Sequence, residues 1–179
     1  MLATDRAART ISFDALKQPL SPLFRDYFAS RGKAREFYPL GFSREDMAKA
    51  AAATAAFAHP RAEVAEALAR EQPEGSEARR NAEALRDPKT LAVVTGQQSV
   101  LFGGPLYVLY KALAAMELAR LMSESLKTTV VPVFWVASDD HDFAEIRATT
   151  LMDGNSELKT LRYEPAVEPN LQPASTIIL

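Results

Sequence analysis

The chain has 179 residues, 47% of them hydrophobic and 25% charged, with 21 basic against 23 acidic side chains and a net charge of -2. That length can bury about 70% of the surface its unfolded form exposes, enough for one ordinary domain or a domain with a helical appendage. Near-neutral charge argues against a nucleic-acid platform, the absence of cysteine excludes disulfides and thiolate chemistry, and no apolar run approaches the roughly 18 residues that span a bilayer.

A soluble, unexported protein of a reducing cytoplasm is therefore expected, without nucleic-acid or membrane partners. The short basic cluster Arg31, Lys33 and Arg35 reads as a solvated loop. In chain order, Ser21-Pro22 with Leu23, Phe24, Tyr27 and Phe28 predicts a short helix whose aromatic residues need a partner surface. Ser43 is an N-cap with Glu45 and Asp46 in the first turn, and the helix from Met47 runs to Ala58, where His59-Pro60 stops it. Pro60 opens a second segment that carries Val64 and Leu68 one turn apart and reaches about Gln72. Ser76 begins a third, ending near Asp87-Pro88. Residues 1–90 thus form an amino-terminal helical region expected to pack on the core.

The strand signal begins at residue 91, and residues 91–179 read as the first part of an α/β domain. Leu91 to Thr95 is a short apolar strand, Gly96 to Gly104 a glycine-containing loop, and Pro105 opens a helix running to about Met122. Val130 to Ala137 does not alternate, which predicts a strand covered on both faces, with Phe134 and Trp135 in the core. Leu101 and Phe102 read as core plugs under the loop. Two parallel strands joined by a helix put both following loops at the carboxyl edge of the sheet, where open α/β sheets bind ligands. Asp153-Gly154-Asn155 is a turn, Leu158 to Tyr163 a strand, Glu164 to Pro173 a proline-containing loop, and Ser175 to Leu179 a last strand.

Chemistry is expected at the two loops. Gly96, Gly103 and Gly104 let the backbone turn sharply, and Pro105 leads into a helix whose first amides attract a phosphate or carboxylate. The spacing is neither GxGxxG nor a P-loop. Gln97 and Gln98 supply amides for a sugar or base edge, while Lys111 points either back along the loop or to solvent. A plain strand-to-helix turn is the structural alternative. At the second loop Asp139, Asp140, His141 and Asp142 crowd charge at the mouth of a strand, which functional sites tolerate better than scaffolds do. His141 could orient a phosphate, act as a general acid or base, or join a carboxylate on a metal. In the structural alternative Asp140 or Asp142 merely caps the next helix, with Glu145 and Arg147 on its solvated face.

Taken together, Val94-Thr-Gly-Gln-Gln98, Leu101-Phe-Gly-Gly-Pro-Leu-Tyr107, Tyr110-Lys111 and Pro132-Val-Phe-Trp-Val-Ala-Ser-Asp-Asp-His-Asp-Phe143 resemble the bacillithiol biosynthesis cysteine-adding enzymes, the BshC cysteine ligase family. The likeness is strongest over residues 91–150, and the chain looks like the amino-terminal part of such a protein. Asp139 stands where the family more usually has glutamate, keeping the charge and shortening its reach. The resemblance implies a Rossmann-like core similar to class I aminoacyl-tRNA synthetases, with a coiled coil that forms a homodimer in the full-length protein. It implies a ligase joining the carboxyl group of L-cysteine to the amine of glucosaminyl malate, with ATP as the activating reagent and no metal. Gly96, Gln97, Gln98, Gly103, Gly104, Pro105 and Lys111 would bind substrate or nucleotide, and Asp139, Asp140, His141 and Asp142 would be catalytic. No second phosphate motif or coiled-coil heptad follows within the chain, so the isolated chain is expected to be inactive. Two alternatives stand beside this one: a metal-dependent phosphohydrolase or nucleotidyl enzyme built on Asp139, His141 and Asp142, and a noncatalytic nucleotide-binding module.

Overall fold

The computed structural model describes residues 20–166 and 172–177, together with Ser12, Ala15 and Pro169. The chain divides into two compact units, Met1–Thr54 and Ala55–Leu179.

The first unit holds α1 (Pro22–Phe28), α2 (Ala34–Phe37) and most of α3 (Arg44–Ala55). Ser21 caps α1 by accepting from the Phe24 amide, and Ser43 does the same for α3 through the Asp46 amide at 3.0 Å. The aromatic residues of α1 find their partners in the segment beyond α2: Tyr27 packs 5.4 Å from Tyr38 and edge-on 5.1 Å from Phe42, which also meets Phe28. Asp46, 9% exposed, accepts from the Gly41 amide and pairs with Arg35. The Ser43 hydroxyl first, then the Gly41 amide, hold its carboxyl below the usual range.

The second unit begins with a helical pair, α4 (Arg61–Arg70) and α5 (Glu77–Ala84), which pack together through Ala65, Ala69 and Ala82. Ser76 caps α5, accepting from the Arg79 amide at 3.1 Å. Arg61 gathers the carbonyls of Leu85, Asp87 and Thr90 on one guanidinium nitrogen, tying the end of α5 to the start of the sheet. Next come β1 (Leu91–Gln98), α6 (Leu106–Leu126) and β2 (Val130–Ala137). The strands pair in parallel, with Leu91 opposite Val130 and Gln98 opposite Ala137, and α6 packs on both through Ala115 and Ala119. α6 closes with Lys127 in the left-handed region, and Ser123 Oγ accepts from the Val130 amide at 2.9 Å, fixing where β2 begins. After a single helical turn, α7 (Phe143–Ile146), β3 (Ala148–Met152) and β4 (Leu158–Arg162) form an antiparallel hairpin closed by Asp153, whose carboxylate accepts from the Asn155 and Glu157 amides. Among the described residues no helix is long and apolar enough to cross a membrane.

The α/β class and the parallel crossover are as the sequence predicts. Several details differ. β1 runs past Thr95 through Gly96, Gln97 and Gln98, because those residues continue the pairing with Trp135 to Ala137. β2 is buried only at Val130 and Val131; Phe134 is half-buried and Trp135 is 60% exposed. One long helix over a two-stranded sheet cannot cover both faces, so the absence of alternation does not here mean burial. Leu101 is half-buried and Phe102 is 71% exposed, its backbone in the left-handed region. Ala174–Thr176 is a turn of 3-10 helix where a strand is expected, and Ile178 and Leu179 lie outside the described residues.

Candidate functional site

Gly96 is dictated by the pairing itself. A Cβ there would sit 2.2 Å from the Trp135 carbonyl oxygen, which is backbone and cannot swing away, so only glycine lets β1 pass β2 at this point. Lys111, on the second turn of α6, points back and donates from Nζ to the Gly96 carbonyl at 2.7 Å, with the ammonium 5.4 Å from the Tyr107 ring centre. A positive charge is thereby fixed at the carboxyl end of β1.

Beyond Gln98 the chain makes a turn in which Phe102, Gly103 and Gly104 all have positive φ (52°, 80° and 77°). The two glycines differ in kind. Open space surrounds a Cβ at Gly103, so only its backbone angle demands glycine, whereas at Gly104 it would also collide with Val100 at 2.5 Å. Pro105 is the N-cap of α6 and offers no side-chain cap. The first-turn amides of a helix of 21 residues, and its positive dipole end, lie beside this turn.

The second loop divides its four polar residues by role. Asp140 accepts from the Gln98 side-chain amide at 2.6 Å on one oxygen and from the His141 and Asp142 backbone amides at 2.7 and 3.3 Å on the other. These bonds, the Gln98 amide foremost and then the two backbone amides, hold the Asp140 carboxyl below the usual carboxylate range. Asp142 caps α7 by accepting from the Glu145 amide at 3.1 Å, as the structural alternative predicts. Asp139 is exposed and forms no hydrogen bond among the described residues, and His141 is 61% exposed in its side chain with Nδ1 4.0 Å from Asp140. Among the described residues no three His, Cys, Asp or Glu side chains converge as a metal-ligand set.

The structure thus joins Gln98 to Asp140, and Lys111 to Gly96. No hydrogen bond among the described residues links Gly103, Gly104 or Pro105 to the Asp139–Asp142 segment. The Gln97 amide nitrogen donates to the Gln98 carbonyl, while its Oε1 is buried without a partner. Arg147 does not lie on a solvated face. Its side chain is 12% exposed, donates to the Tyr163 carbonyl at 3.1 Å, pairs with Glu164 and lies 4.8 Å from the Phe143 ring centre.

Known proteins match this chain closely. The family described as "Bacillithiol biosynthesis BshC, N-terminal Rossmann-like domain" covers residues 8–178. The protein named "Putative cysteine ligase BshC" in Salinibacter ruber is 40% identical over 172 residues, which is 93% of this chain and 31% of that protein. Its namesake in Solibacter usitatus is 38% identical over 88% of this chain and 29% of its own length, and that of Bacillus licheniformis 34% identical over 79% and 27%. The chain therefore spans about a third of the length of the curated relatives it matches. On the strength of the family match and these identities, the chain belongs to the BshC family of bacillithiol biosynthesis, of which it represents the N-terminal Rossmann-like domain.

Proposed function

We propose that the protein built on this domain is a ligase that joins the carboxyl group of L-cysteine to the amine of glucosaminyl malate. The observation that carries the reading is membership of a family whose relatives are named for cysteine ligation, combined with two polar segments latched together at the carboxyl edge of the parallel strands. A carboxylate is a poor electrophile at neutral pH, so amide formation needs an activated acyl group. ATP is the proposed reagent: the cysteine carboxylate displaces pyrophosphate to give an acyl adenylate, the amine attacks the acyl carbon, and AMP leaves with loss of the amine proton. The uncapped first turn of α6 and the Lys111 ammonium supply the charge and donors that phosphate requires.

The acidic loop then divides its labour. Asp140, bonded on both oxygens, stays ionised and positions its neighbours. His141, whose exposed imidazole lies beside it, is the group positioned to take the amine proton. In this reading the protein is cytoplasmic, needs no metal, and forms a homodimer through a coiled coil elsewhere in the full-length molecule. Cysteine-dependent exchange of labelled pyrophosphate into ATP by the full-length protein tests the proposal. Exchange with L-cysteine supports it; amide formation with release of ADP instead would replace the adenylate by an acyl phosphate, and a lack of amide product under any condition would refute the ligase reading.

A further inference from the structure

A cavity of about 260 Å³ lies between the segment after β1 and the segment after the acidic loop. Ser99 to Phe102 line it together with Phe143, Ile146, Arg147 and Tyr163, and Ala174 and Ile177 complete the lining. None of these residues belongs to the polar set described above, yet the cavity is fixed to it. Ser99 follows Gln98, Phe143 follows Asp142, and the turn carrying Ala174 is docked by two backbone bonds, the Ala174 amide to the Asp140 carbonyl at 2.8 Å and the Ser175 amide to the Ser138 carbonyl at 2.9 Å. A group seated in the cavity is therefore held against the loop that carries Asp140 and His141.

Its lining selects the occupant. The volume far exceeds the roughly 10–15 Å³ that one water needs, so the cavity admits an amino-acid side chain with room to spare. The lining is mostly apolar, and Arg147, the charged member, is already engaged with Glu164, the Tyr163 carbonyl and the Phe143 ring. A polyol or a phosphate would forfeit hydrogen bonds to water on entry without recovering them. A thiol, a weak hydrogen-bonding group, forfeits little, and sulfur packs well against aromatic edges.

We propose that this cavity receives the side chain of the amino-acid substrate and that its apolar lining selects a thiol over a hydroxyl. The assignment rests on the ligase reading for the identity of the amino acid.

Calorimetric binding of L-cysteine, L-2-aminobutyrate and L-serine to the full-length protein tests the assignment. Cysteine and 2-aminobutyrate, whose methyl replaces the thiol, should bind within about tenfold of each other, with serine weaker by about 10- to 100-fold. Ala174→Phe, which places a ring in the cavity, should weaken cysteine and 2-aminobutyrate together and flatten the preference over serine, and the milder Ala174→Leu should do so in part with the thermal midpoint retained. Equal binding of all three amino acids overturns the proposal, as does an unchanged preference in both variants. If cysteine-dependent pyrophosphate exchange persists in Ala174→Phe with its selectivity intact, the cavity assignment falls while the ligase reading stands. Selective binding that the variants abolish, in a protein that forms no amide product under any condition, leaves the cavity assigned and removes the ligase reading.

Discussion

The Gln98 side-chain amide lies 2.6 Å from the Asp140 carboxylate, although 42 positions separate the two residues in the chain. This contact ties the end of β1 to the loop after β2, so the geometry of the acidic loop depends on a neutral residue of the other strand. Gln98→Leu should leave the fold in place and, under the proposed ligase function, lower amide formation by the full-length protein by on the order of 10²-fold, the usual penalty for displacing a reacting group by about 1 Å. In the 179-residue domain, which has two histidines, the imidazole resonances of His141 can be told from those of His59, and they should shift in the variant. Unmoved His141 resonances in Gln98→Leu would show that the latch positions nothing.

Asp140 also predicts a pH dependence. Its carboxyl is held below the ordinary value by the Gln98 amide and by the His141 and Asp142 backbone amides. A lowered native value means that the folded state prefers the ionised form. The contribution is therefore complete above the unfolded value of about 3.9 and is lost as pH falls through the native one. Wild type should lose stability more steeply than Asp140→Asn below about pH 4, and the two should run parallel from pH 5 upward. Thermal midpoints measured across that range check it.

The three glycines of the first segment should separate by mechanism. Gly103→Ala meets open space and pays only for its left-handed backbone, a loss of about 1–2 kcal/mol. Gly104→Ala adds a contact with Val100, and Gly96→Ala places a methyl against the Trp135 carbonyl, so both should be more destabilising, with Gly96→Ala parting the strand ends. Urea midpoints should rank Gly103→Ala above Gly104→Ala and Gly96→Ala.

Lys111→Met removes the ammonium from the Gly96 carbonyl while keeping much of the aliphatic stem. If that charge serves a phosphate, the affinity of the full-length protein for ATP should fall about tenfold or more, matching the roughly 1.5–3 kcal/mol of a hydrogen bond to a charged group. Calorimetric titration with ATP supplies the measurement, and Lys111→Arg should restore part of the loss.

Away from the site, Arg61→Met strands three carbonyls that share one guanidinium nitrogen, and Ser76→Ala removes only a cap. The cap should be worth about 1 kcal/mol, and the arginine more, up to about 3 kcal/mol. Reversible denaturant unfolding of the two variants decides the order.

Local rules made much of this legible. Ser21, Ser43 and Ser76 each cap the helix that follows, and β2 occupies the span its apolar run marks, because capping and strand propensity act over a few residues. The remainder is set by distant partners. That Gly96 to Gln98 are strand follows from pairing with Trp135 to Ala137, which a turn-like GQQ does not announce. β3 is a five-residue strand beginning two residues after a helical turn, too short to show a period, and depends on β4 across the Asp153 turn. Arg147 reads as a surface cation until Phe143 and Tyr163 are brought to it. At the site, the sequence marks Asp139 to Asp142 as a cluster but cannot say that Asp140 is consumed by Gln98 or that Asp142 is consumed by α7.

The exposure of Trp135 carries a practical consequence. It is the sole tryptophan in the chain and stands opposite Gly96, whose carbonyl receives Lys111. The intrinsic emission of this domain therefore originates at the rim where the polar segments meet, and an occupant settling over that indole would shift its spectrum to the blue, giving an optical titration without any attached dye.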